Sequence, residues 1–115
     1  MRILIADDDY EMREMYATIF EGHDLTIVRD GAAAVHEYHK QGAFDYVVTD
    51  YQMPKKNGVV VVMEIRAINP KQPIVLCSGD PPTLNAMTKE LTGEFAMLQK
   101  PFRPSVLRKL VTGEE

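Results

Sequence analysis

Short apolar runs alternate with longer amphipathic stretches along this chain. Residues 2–6, 25–29, 46–49, 74–77 and 95–98 read as strands, and most are nearly continuous in apolar residues, as strands covered on both faces should be. Between the first two, Met12, Met15, Tyr16 and Ile19 recur at i, i+3, i+4, i+7, which predicts a helix over 11–20 that stops near Gly22. Residues 31–40 follow Asp30, a good N-cap, and place Ala34, Val35 and Tyr38 on one side. In 59–68 two signals conflict: four consecutive valines favour a strand, whereas Val61, Met63, Glu64, Ile65, Ala67 and Ile68 can continue as a helix that ends before Pro70. A crossover is needed there if the sheet is parallel, which decides for helix.

Pro81 and Pro82 suit the entry of a fourth helix running to about Leu91, with Gly93 past its end. A fifth begins near Pro104 with Val106, Leu107 and Leu110 as its buried stripe. The pattern is therefore (βα)₅, an α/β chain with a doubly wound, five-stranded parallel sheet. Its 115 residues suit one domain, residues 1–115.

Composition narrows the class. Hydrophobic residues make up 45% and charged residues 26%, ordinary for a globular protein, so neither a disordered nor a fibrous class is favoured. No apolar run approaches the length of a membrane span and the N-terminus has no signal-peptide pattern, so a cytoplasmic location without membrane contact is expected. A net charge of −4 argues against direct nucleic-acid binding. The single cysteine, Cys77, excludes an internal disulfide and reads as a buried filler. His36 and His39 lie on one helix without a third ligand and read as a solvated face, so any metal should prefer oxygen.

The polar residues that break the pattern fall at strand ends, where open parallel sheets bind their ligands. Asp7 and Asp8 close the first strand, Asp50 follows the third, Ser78 the fourth and Lys100 the fifth. If the first and third strands are neighbours, three carboxylates converge. Two such charges near 4 Å repel by roughly 1 kcal/mol in water and about 4 kcal/mol near a protein surface, so the cluster needs counter-charge. Lys100 supplies one positive charge, and a divalent cation with oxygen ligands supplies two more. Mg²⁺ fits best, with Mn²⁺ as the alternative.

This set suits phosphoryl transfer onto a carboxylate. Asp50 is the expected acceptor, Asp8 and Asp50 hold the metal with Asp7 acting mainly through bound water, Lys100 pairs with the phosphoryl group, and Ser78 donates a hydroxyl hydrogen bond to the product. Asp9 reads as a helix-start residue and Phe102 as packing. Arg103, Arg108 and Lys109 read equally as a partner surface or as solvated charges.

The runs Leu4-Ile5-Ala6-Asp7-Asp8-Asp9, Val47-Val48-Thr49-Asp50-Tyr51-Gln52-Met53-Pro54 with Gly58, Ile74-Val75-Leu76-Cys77-Ser78-Gly79 and Lys100-Pro101-Phe102 resemble, in order, the signature blocks of response regulator receiver domains. The resemblance implies a flavodoxin-like (βα)₅ fold with strand order 2-1-3-4-5. It implies phosphorylation of Asp50 by a sensor histidine kinase or phosphotransfer protein, with the backbone carbonyl of Gln52 joining Asp7, Asp8 and Asp50 at the metal. It implies a phosphoacceptor switch rather than an enzyme. The reporting surface would be the fourth helix, fifth strand and fifth helix, including Ser78, Met97 and Arg103. Its target would be a downstream protein or a fused output domain, and a phosphorylation-dependent homodimer is a further expectation.

Met97 departs from the family, which usually carries Tyr or Phe three residues before this lysine. Gln52 and Asp80 occupy variable places that tune dephosphorylation. Three other classes compete, the weakest a flavodoxin-like electron carrier, since no hydroxyl-rich phosphate loop follows the first strand. Asp7-x-Asp9 also suits an aspartyl phosphatase of the haloacid dehalogenase group, but Glu11 stands where that group has Thr or Val. Met97 keeps open a receiver-shaped module that is never phosphorylated.

Overall fold

A computed structural model describes residues 1–80 and 96–114. In chain order these form β1 (Arg2–Ala6), α1 (Tyr10–Ile19), β2 (Asp24–Val28), α2 (Gly31–Gln41), β3 (Tyr46–Asp50), α3 (Gly58–Ile68), β4 (Ile74–Ser78), β5 (Ala96–Gln99) and a last helix, here α4 (Pro104–Thr112). The helix expected from Pro81 to about Leu91 lies outside the described residues. The strands form one parallel sheet in the order β2-β1-β3-β4-β5, as the family resemblance implied.

Side-chain alternation along the strands builds two cores. Leu4, Ala6, Val47, Ile74 and Leu76 face α2 and α3, where Ala34, Val35, Tyr38, Val61, Val62 and Ile65 meet them. Ile3, Ile5, Val48, Val75 and Cys77 face the opposite way, onto Tyr16, Ile19 and Phe20 of the α1 region and Leu107 and Val111 of α4. Successive strand residues point to opposite faces, so a strand covered on both sides must be apolar at every place.

The helix boundaries follow from caps. The Asp9 side chain accepts the Glu11 amide, that of Asp30 accepts the Ala33 amide, and that of Asn57 accepts the Val60 amide. The valine-rich segment is helical because Gly58, Val61, Val62 and Ile65 recur at helical spacing and are buried, leaving Met63 and Ile68 exposed. In α4 the expected stripe is corrected. Leu107 and Val111 are buried, whereas Val106 and Leu110 are 46% and 40% exposed. Apolar residues occupy two sides of this helix, and Leu107 and Val111 pack into the core shared with the sheet.

Candidate functional site

Asp50 is the last residue of β3 and Ser78 the last of β4, while Asp7 and Asp8 directly follow β1 and Lys100 follows β5. Because β1 and β3 are neighbours, Asp7, Asp8 and Asp50 each offer a carboxylate oxygen within 4.8 Å of the others. Asp7 and Asp50 are buried and Asp8 is exposed. Lys100 bridges the two buried acids, with Nζ 2.8 Å from Asp7 Oδ2 and 3.1 Å from Asp50 Oδ1. The convergence expected from strand ends is therefore realised for Asp7, Asp8, Asp50 and Lys100.

The chain after Asp50 is drawn in tightly. Tyr51 N donates to Cys77 O at 2.9 Å, and Gly58 N donates to Tyr51 O at 2.8 Å. A Cβ on Gly58 would stand 2.4 Å from the Asp50 carbonyl oxygen, so only glycine lets α3 start this close to the end of β3. The loop between them borders an open cleft of about 440 Å³ beside the acids, lined by Asp8, Tyr51, Gln52, Met53 and Asn57.

Electrostatics follow from burial. Removal from water raises the Asp50 carboxyl to about 6; the Lys100 charge opposes this, and the Asp7 and Asp8 charges add to it. Burial pulls Lys100 down, but the Asp7 hydrogen bond and the charges of Asp50 and Asp7 outweigh it, so its ammonium is held above the ordinary lysine range. The Cys77 thiol is pushed up to about 12, chiefly by burial, which suits the inert filler expected. An all-oxygen donor set of three clustered carboxylates, with one open to water, fits a hard divalent cation.

The remaining expected residues are placed differently. Ser78 Oγ accepts the Asp80 amide at 3.0 Å, the turn-capping role that serine often takes. Gln52 lines the cleft. Met97 is 41% exposed on the edge strand and Arg103 is exposed at the N-cap of α4, and neither lines the cleft. Arg108 is no free charge: it donates to Ile19 O and pairs with Glu114.

Sequence reasoning missed Tyr16 as a polar group. Its hydroxyl donates to Asp7 Oδ2 at 3.3 Å while its ring is fully buried. Burial first, then the charges of Cys77, Asp7 and Asp50, hold this phenol far above its ordinary range. The available signal was a tyrosine in a helix stripe facing the core, since a buried tyrosine hydroxyl needs a partner.

A parallel sheet in this order, with acids and a lysine gathered at its carboxyl rim, defines a flavodoxin-like α/β protein with a cation-ready site. The model of the response regulator receiver domain matches residues 3–112, and the chain belongs to that family of two-component phosphoacceptor switches. The DNA-binding transcriptional regulator NtrC of Bradyrhizobium sp. (strain RP501 Parasponia) is 30% identical over 112 residues, 96% of this chain and 22% of that protein. The DNA-binding response regulator MtrA of Mycobacterium tuberculosis (strain ATCC 25618 / H37Rv) is 31% identical over 108 residues, 92% of this chain and 46% of that protein. This chain thus spans less than half the length of either relative. The crystal structure of a response regulator receiver protein from Sinorhizobium medicae WSM419 superposes with a TM-score of 0.86 at 29% identity, covering 98% of this chain and 92% of that one. Among the described residues no helix is long and apolar enough to cross a membrane.

Proposed function

We propose that this chain, acting as one domain over residues 1–115 in the cytoplasm, takes a phosphoryl group onto Asp50 from a sensor histidine kinase or phosphotransfer protein. The observation that carries this reading is the Lys100 ammonium, held between Asp7 at 2.8 Å and Asp50 at 3.1 Å beside a third carboxylate. In the transfer an Asp50 oxygen forms a P–O bond as the P–N bond of a phosphohistidine breaks, and the imidazole leaves with the bonding pair and gains a proton.

Mg²⁺, or Mn²⁺ in its place, would be held by Asp7, Asp8, Asp50 and the Gln52 carbonyl, and supplies positive charge for the phosphoryl oxygens. Lys100 sits within reach of Asp50 and adds its own charge there. Ser78 turns its hydroxyl hydrogen toward the product, giving up its link to the Asp80 amide. The rearranged rim biases the surface around Met97 and Arg103 toward a downstream protein or a fused output domain, or toward a homodimer. The receiver itself does not touch nucleic acid; it assists its own phosphorylation and dephosphorylation and turns over no separate substrate.

The test is incubation with Mg²⁺ and a small phosphodonor, read by intact mass. One phosphoryl adduct, lost in Asp50→Asn, supports the switch. Turnover of many phosphoesters without a stable adduct points to a phosphatase, and no mass change to an unphosphorylated module.

A further inference from the structure

Of the three clustered acids, Asp7 is the one most tightly held by donors among the described residues. A carboxylate offers about four lone-pair directions, and donors among the described residues take three. The Asp9 amide donates to Oδ1 at 2.9 Å, while Lys100 Nζ at 2.8 Å and the Tyr16 hydroxyl at 3.3 Å share Oδ2. The one remaining direction is on Oδ1, so Oδ2 belongs to the lysine and the tyrosine. Tyr16 is fixed from behind: its ring stacks on Phe102 with centroids 6.4 Å apart and planes at 26°. Phe102 follows Lys100 and Pro101 in the loop leaving β5, so the two donors to Oδ2 come from elements that are packed together.

Lys100 is shared between two acids, and a phosphoryl group on Asp50 competes with Asp7 for the ammonium. When the ammonium leaves, Asp7 Oδ2 stays buried. A buried charged oxygen that loses its last donor bears its full desolvation cost, which opposes the movement. A second, neutral donor already in place removes that opposition. We propose that the Tyr16 hydroxyl is a positioning group that keeps Asp7 Oδ2 hydrogen-bonded while Lys100 turns to the phosphoryl group on Asp50. The inference rests on the phosphoacceptor reading. It deepens that reading by naming what makes the lysine free to move.

Tyr16→Phe keeps the ring and its stack on Phe102 and removes only the hydroxyl. With the full chain, calorimetric titration of Mg²⁺ alone should give a dissociation constant within about twofold of the parent. Beryllofluoride titrated in saturating Mg²⁺ should bind about tenfold more weakly, the effect of one hydrogen bond to a charged group. A merely structural tyrosine would not separate the two probes. In a Lys100→Met background the same substitution should change beryllofluoride affinity no further, because no ammonium is left to move. Equal weakening of both probes, no weakening of beryllofluoride, or a tenfold loss that persists with Lys100→Met overturns the inference alone. A parent that binds no beryllofluoride overturns the phosphoacceptor reading, and this inference with it.

Discussion

Asp50 sits under opposing influences: burial disfavours its charged form, while the acceptor role proposed for it needs that form. Its folded-state pKa of about 6 lies above the ordinary carboxylate value of 3.8, so from about pH 4 to 6 the folded chain binds a proton that the unfolded chain has released. Stability supplied by this group is full at low pH and is lost as pH rises through 6. Asp50→Asn removes the titration. In chelator-treated buffer at pH 7.5 the variant should be more stable than the parent by on the order of 2 kcal/mol, with the gap closing near pH 4. Urea unfolding at the two pH values checks this, and a parent more stable than the variant at pH 7.5 would refute the burial argument. At this scale much was readable in advance. Asp7, Asp8, Asp50 and Lys100 each interrupt or end an apolar run, so their places at strand ends could be seen. Tyr16 could not be separated from its neighbours, because its ring satisfies the helix stripe and its hydroxyl has no sequence pattern of its own. Ser78 was identified by position, but its hydrogen bond to Asp80 depends on the path of the following turn.

Among the elements, α3 decides how close the acceptor loop lies to the sheet. Its valines favour a strand locally, and the helix prevails because burying Val61, Val62 and Ile65 against Leu4, Val47 and Leu76 outweighs a propensity difference of tenths of a kcal/mol per residue. At Gly58 this packing leaves no room for a side chain: an added Cβ would also lie 2.6 Å from Leu76 Cδ1 and 2.9 Å from Tyr51 Cα. Gly58→Ala should therefore cost about 1–3 kcal/mol, as overpacking does, and should slow phosphodonor labelling by displacing the Asp50 carbonyl. Val60→Ala, on a half-buried side of the same helix, should leave labelling unchanged. If Gly58→Ala labels and unfolds like the parent, the close approach has no functional weight. The stripe of α4 was the element least legible in sequence. Val106, Leu107, Leu110 and Val111 offer two overlapping apolar faces, and only packing against α1 selects Leu107 and Val111.

Over the whole molecule, the acids gathered at one rim are brought together only by folding, because the Asp7–Asp8 pair and Asp50 lie far apart in sequence and meet through the β1–β3 pairing. An unfolded chain cannot present them together, so a cation that binds there stabilises the fold by mass action. Mg²⁺ at one hundred times its dissociation constant should add about 2.7 kcal/mol to unfolding. Asp8 separates this effect from packing. It is exposed, whereas Asp7 is buried under Lys100, Tyr16 and the Asp9 amide. Asp8→Asn removes one like charge from the cluster at little packing cost, so its stability in chelator should equal or exceed the parent's. Its gain on adding Mg²⁺ should fall by more than half, since one of the three carboxylates proposed to hold the cation is weakened. Urea midpoints with and without Mg²⁺ on both proteins decide the matter. A full Mg²⁺ gain in Asp8→Asn would place the cation elsewhere. A lower chelator-state stability would mean that Asp8 holds the fold together rather than the metal, because removing a repelling charge cannot otherwise weaken a structure whose other acids already lack sufficient counter-charge.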